Sequence, residues 1–80
     1  MTLNIGQGGF IVVQRLLWVA PYEGDAMRRL KAERQAHGAF VDLTRGRGTA
    51  TLVALDDGTL IASSVSAEAL QRRFKKEKGK

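Results

Sequence analysis

The chain of 80 residues contains no cysteine and a single histidine, proline, tryptophan and tyrosine. Without cysteine there is no disulfide framework and no thiolate metal site. One histidine, His37, excludes a histidine-rich metal centre. Aromatic residues make up 6%, which disfavours the stacking platforms on which RNA-binding modules lay single-stranded bases. No apolar run approaches the roughly 20 residues of a membrane span. The opening MTLNIGQGG has no positive region followed by an apolar stretch, so it does not read as a secretory signal. A cytoplasmic protein without membrane association is expected. Scarce proline and an apolar fraction of 44% argue for a folded chain. Its length suits one domain, and a domain this small buries a modest share of its surface, so self-association is one way to bury more.

What is present is positive charge, placed unevenly. Thirteen Lys and Arg stand against eight Asp and Glu, a net charge of +5. Residues 71–80 hold Arg72, Arg73, Lys75, Lys76, Lys78 and Lys80 against Glu77, so the whole excess lies there and residues 1–70 are balanced. A basic end on a neutral body points to a polyanion partner or to a merely solvated terminus.

The element pattern is α+β. Thr2–Ile5 and Phe10–Val13 read as short strands around a Gly6-Gln7-Gly8-Gly9 turn. Gln14 and Arg15 interrupt the apolar run, and Leu16–Ala20 follows as a strand that Pro21 ends. Asp25 is a candidate N-cap for a helix through His37, with Ala26, Met27 and Leu30 as a narrow apolar stripe and Gly38 at C′. Ala39–Leu43 and Ala50–Leu55 read as strands, and Asp56-Asp57-Gly58-Thr59 predicts a hairpin into Leu60–Ser64. Ser66 can cap a last helix, with Val65 and Leu70 at the spacing of a hydrophobic staple and Ala67, Leu70 and Phe74 facing the body. Beyond Phe74 the sequence is charged and expected to fray. The predicted architecture is one mostly antiparallel sheet carrying two helices, with residues 1–74 as the domain and 75–80 as a basic, flexible tail.

No constellation in this sequence suggests an enzyme. The Gly6–Gly9 stretch lacks the spacing of a dinucleotide loop, and no helix opens after it. Asp56 and Asp57 sit in a hairpin turn with no nucleophile or base beside them in sequence. His37 suits a helix C-terminus better than a general base, because no serine or cysteine motif offers it work. Trp18 reads as core, or as a packing group at a subunit contact. Arg28, Arg29, Lys31 and Arg34 form a basic helix face that either meets phosphate or stays solvated. The stretch Thr44-Arg45-Gly46-Arg47-Gly48-Thr49 is the sharpest feature. Its glycines permit unusual backbone angles, their N–H groups can bind anions, and arginine offers a planar donor fork for phosphate or guanine. A solubilising surface loop is the equal alternative from pattern alone.

The order of features resembles the RemA-like family of bacterial extracellular-matrix regulators. The resemblance is carried by Asn4-Ile5-Gly6-Gln7-Gly8, Arg15, Glu23, Arg29, Gly38, Val41-Asp42-Leu43-Thr44, Gly46-Arg47, Thr49, Asp56, Ser63, Val65 and Glu68. It runs without a gap from Asn4 to Phe74. The resemblance implies a fold similar to LytTR-type DNA-binding domains, assembly into a homo-oligomeric ring such as an octamer, and activation of biofilm-matrix genes by wrapping double-stranded DNA. It implies no cofactor, metal or small-molecule ligand. Family arginines correspond to Arg15 and to a T-x-G-R-R-T-R stretch, of which this chain keeps Gly46, Arg47 and Thr49. It departs at Gly48 and Ala50, where basic residues are expected, and at Arg45, where a tyrosine is usual. Pro21 also falls one place early, and the Ser-Ala-Pro helix entry is Gly24-Asp25-Ala26.

The sequence therefore predicts a ring-forming DNA-binding regulator. Its candidate contacts are Arg15, Arg45 and Arg47, with Arg29 on the first helix and Lys75 and Lys76 in the basic end. The alternatives are a ring-forming scaffold that has lost DNA contacts at Gly48 and Ala50, and an RNA-binding module.

Overall fold

A computed structural model describes residues 2–6 and 9–78, with the side chains of Phe10 and residues 76–78 outside the description. The elements are β1 (Thr2–Gly6), β2 (Gly9–Val12), a 3-10 turn (Val13–Arg15), β3 (Leu16–Pro21), α1 (Gly24–Ala36), β4 (Phe40–Asp42), β5 (Thr51–Leu55), β6 (Leu60–Ser63) and α2 (Ala67–Lys78).

The strands form two sheets rather than one. β1 and β2 pair antiparallel as a separate two-stranded sheet, and the larger sheet has the order β3-β5-β6-β4. The division falls at Val13–Arg15, where exposed Gln14 and Arg15 turn the chain before Leu16 restarts pairing. The larger sheet is also mixed: β4 lies parallel to β6, while β3-β5 and β5-β6 are antiparallel. α1 connects β3 to β4 as a crossover.

β5 and β6 occupy the middle of this sheet and are covered on both faces, so they are apolar at successive positions instead of alternating. Leu52, Ala54, Leu60 and Ala62 face α1, packing with Trp18, Tyr22, Met27, Leu30 and Phe40. Val53 and Ile61 face the other way, onto Leu3, Ile5 and Ile11 of the small sheet and Leu70 of α2, with Val65 and Phe74 beside them. Trp18 thus packs against the core. Ala26 is exposed and takes no part in the stripe of α1.

The helix ends follow local chemistry. The Ser66 hydroxyl accepts the Ala69 N–H at 3.1 Å, the N-cap contact. Gly38 at φ +70° ends α1, with its N–H on the Gln35 carbonyl and the Ala39 N–H on the Arg34 carbonyl. His37 is the C-cap, and its Nδ1 lies 2.8 Å from the Glu33 carbonyl. The start of α1 differs from expectation. Asp25 lies inside the first turn, where Arg28 holds its carboxylate, and caps no backbone N–H. α2 continues past Phe74 to Lys78.

The polar residues that end β5 and β6 tie the two sheets together. Ser63 is fully buried; its hydroxyl donates to the Ile5 carbonyl at 2.6 Å and accepts the Val65 N–H at 3.1 Å. Its register partner Thr51 donates to the Val65 carbonyl at 2.7 Å. Ser63→Ala leaves a buried carbonyl and an amide without their partner. It should lower unfolding free energy by roughly 1–3 kcal/mol in urea titration; an unchanged midpoint would show that water replaces the hydroxyl.

Candidate nucleic-acid interface

The Thr44–Thr49 stretch is a projecting tip on a pinned base. At its start, the Leu43 N–H donates to the Ala62 carbonyl at 3.0 Å, continuing the β4-β6 pairing. Thr44 is buried, and both its N–H and its hydroxyl donate to Asp42 Oδ1, at 2.8 and 2.7 Å. At its end, the Ala50 N–H donates to the Ser63 carbonyl at 2.9 Å, and the Ala50 carbonyl accepts the Tyr22 N–H at 2.9 Å. Between these anchors residues 45–48 are exposed.

The tip is a tight turn. The Arg47 N–H donates to the Thr44 carbonyl at 3.1 Å, and the two central residues, Arg45 and Gly46, have φ of +53° and +82°. These are the backbone angles of a type I′ turn, which favours Gly, Asn and Asp. Arg45 is the one non-glycine residue at positive φ among the described residues. A bulky L-residue there costs on the order of 1–2 kcal/mol. Gly48 also has positive φ, +85°, and a Cβ at Gly46 or Gly48 would meet nothing within 4 Å. These glycines serve backbone angle, not internal packing. The N–H groups of Gly46 and Gly48 take no partner among the described residues, so they remain available to an anion.

Asp42 anchors this loop as a carboxylate. The Thr44 hydroxyl, then its amide, hold the Asp42 carboxyl below its ordinary value of 3.8. The stabilisation is therefore present above the unfolded-state value and is lost as pH falls through the lower folded one. The Thr44 amide resonance should titrate with a midpoint below 3.8. A midpoint at or above that value would mean the anchor does not form.

Arg15 stands elsewhere. It closes the 3-10 turn, its Nε lies 3.2 Å from Asp56 Oδ1, and its carbonyl accepts the Asp56 N–H at 2.8 Å. Asp56 thus does structural work on an arginine 41 residues away in sequence. Asp57 accepts the Thr59 N–H at 2.9 Å, which holds its carboxyl below the ordinary range and closes the β5-β6 turn.

The strand register divides the candidate cations into two groups. Pro21 pairs with Thr51 at one end of β5 and Leu16 with Leu55 at the other. Arg45 and Arg47 precede Thr51, whereas Arg15 precedes Leu16. The five residues of β5 separate them by roughly 15–20 Å at about 3.3 Å per residue. α1 begins at the loop end, because Tyr22 is bonded to Ala50, and Arg29 is exposed on its first half. Phe74 lines a groove between α2 and β3 that runs from Leu16 to Pro21, and Lys75, the next residue of α2, is exposed. The Lys76 side chain and residues 79–80 lie outside the described residues. Gln7 and Gly8 of the expected glycine turn do so as well. Gly6 and Gly9 are described, and they have a packing role that the sequence did not announce: a Cβ on Gly6 would come within 2.6 Å of Val65 Cγ2, and one on Gly9 within 2.6 Å of Leu43 Cδ1.

Among the described residues no three His, Asp or Glu side chains group to hold a metal ion, and no helix is long and apolar enough to cross a membrane. The site is a two-ended display of guanidinium groups on a small α+β scaffold. Residues 2–74 match the family described as "Extracellular matrix regulatory protein A-like". The chain belongs to this RemA-like family. It is 36% identical over 75 residues to a protein of Oleidesulfovibrio alaskensis, covering 94% of this chain and 89% of the relative. It is 35% identical over 75 residues to one of Maridesulfovibrio salexigens, covering 94% and 87%. A Bacillus cytotoxicus relative is 31% identical over 72 residues, covering 90% and 83%. All three carry the description "putative regulatory protein".

Proposed function

We propose that the chain is a DNA-binding transcriptional regulator of extracellular-matrix genes, acting in the cytoplasm as a homo-oligomeric ring. The observation that carries this reading is the Arg45–Arg47 turn. An arginine is held at positive φ on an anchored loop, a second arginine flanks the same glycine, and both side chains are exposed. Strained backbone concentrates at functional sites, and among the described residues nothing uses either guanidinium. Membership of the RemA-like family supplies the regulatory role.

The two-ended arrangement supports backbone contact over base reading. One protomer presents Arg45 and Arg47 at one end and Arg15 at the other, so it meets two separate stretches of phosphate. Repetition round a ring makes each weak contact effective, because bound protomers raise the local concentration for their neighbours. Lys75 and Lys76 add sequence-independent attraction, and affinity should fall steeply with salt.

The test is a titration of duplex DNA, single-stranded DNA and structured RNA between 50 and 200 mM salt, the range over which phosphate contacts lose roughly 10³–10⁵ in affinity, with the mass in solution measured alongside. The reading requires a multimer that prefers duplex DNA. A multimer that binds no nucleic acid would favour the scaffold, and preference for RNA the third reading.

A further inference from the structure

We propose that Asp56 is a positioning residue for DNA: it holds the Arg15 guanidinium by one edge so that the other edge faces a phosphate. This rests on the DNA-binding reading above. By charge alone the opposite would be expected, because a carboxylate beside a DNA-contacting arginine repels the ligand and competes for the cation.

The geometry favours positioning. Asp56 engages Arg15 twice, through the 2.8 Å main-chain bond from its N–H and the 3.2 Å contact from its carboxylate. The carboxylate contact falls on Nε. Guanidinium has five N–H donors in a rigid plane, and occupying Nε leaves the Nη groups in a fixed direction for a bidentate anion. The two side chains are 60% and 48% exposed, so Arg15 remains accessible while bound. A solvated pair of this kind contributes little to folding. Its consequence is conformational: an arginine already held in one rotamer loses less freedom when it meets phosphate. The Asp56-Asp57-Gly58 turn fixes the carboxylate in turn, since Gly58 has φ +92° and its N–H donates to the Leu55 carbonyl at 3.1 Å. The link between Arg15 and Asp56 also lies where β3 and β5 slip in register between Leu16 and Trp18. The main-chain bond continues the pairing past that irregularity and sets the distance between the two side chains.

Two substitutions that change charge equally separate the possibilities. Asp56→Asn removes the charge and retains an oxygen that can accept the Nε–H; Asp56→Ala removes both. Asp57→Asn measures the effect of deleting the neighbouring charge, with the turn kept. Duplex affinity is measured for the full chain and its variants, with thermal unfolding and solution mass as folding controls. We expect Asp56→Asn to bind as tightly as the parent or tighter, in line with Asp57→Asn. We expect Asp56→Ala to bind about two- to tenfold more weakly despite its added positive charge. In an Arg15→Ala background Asp56→Ala should no longer weaken binding. If the parent binds duplex DNA and Asp56→Ala matches or exceeds Asp56→Asn, the carboxylate merely competes and the proposal is overturned. The same holds if Asp56→Ala weakens binding equally with and without Arg15. If the parent binds no DNA, the DNA-binding reading itself fails.

Discussion

Arg45→Ala with Arg47→Ala should abolish tight duplex binding while leaving fold and assembly in place. Neither side chain has a partner among the described residues, and the loop is held by Asp42, Thr44, Ala50 and their main-chain bonds instead. The Arg45 substitution keeps a side chain at positive φ, so it neither adds nor relieves much strain. Each lost cation lowers the slope of log affinity against log salt by about 0.9 for every phosphate it neutralises. The loss recurs in each protomer that touches the duplex, so the effect compounds. An affinity decrease of about a hundredfold or more is expected at 150 mM salt. Unchanged affinity and slope would remove the loop from the interface. A decrease accompanied by loss of the multimer would reassign both arginines to subunit contact.

Gly6→Ala should produce the largest loss of stability. Gly6 has φ +97°, where a side chain is strained, and the added Cβ would lie 2.6 Å from Val65 Cγ2. Val65 cannot retreat easily, because its N–H is held by Ser63 and its carbonyl by Thr51. Strain and overpacking together cost about 2–4 kcal/mol. A domain of this size has only about 5–15 kcal/mol in total, and the midpoint of thermal unfolding should fall by on the order of 10 °C or more. Gly46→Ala is the comparison: it has positive φ but no neighbour within 4 Å, so it should cost about 1–2 kcal/mol. Equal effects at the two positions would mean that the small sheet shifts freely against Val65.

What the sequence made legible was mostly local. The Asp-Gly hairpin, the Gly38 stop, the Ser66 cap and the inward turn of Leu70 each depend on neighbours within a few residues, and each is present. The division into two sheets was half visible: Gln14 and Arg15 marked an interruption, but a polar pair does not say whether the next strand rejoins the same sheet. The parallel β4-β6 pairing was not visible, because it depends on where α1 returns the chain. The site shows the same split. Arg45 and Arg47 could be singled out from their glycine spacing. The tie from Arg15 to Asp56, and the placing of Arg15 at the far end of β5 from the loop, are set by strand order and register, which no short stretch encodes. By residue type Gly6 and Gly9 suit a turn. Their close approach to Val65 and Leu43 comes from packing between sheets.

The most direct test of which residues meet DNA is an arginine-modification footprint. The protein is treated with phenylglyoxal, free and saturated with duplex DNA, and the extent of reaction at each arginine is read by mass spectrometry. Arg45, Arg47 and Arg15 should be protected by DNA, while Arg34, paired with Glu33 on the second half of α1, should react alike in both samples. Bound DNA that leaves Arg45 and Arg47 as reactive as in the free protein would contradict the account.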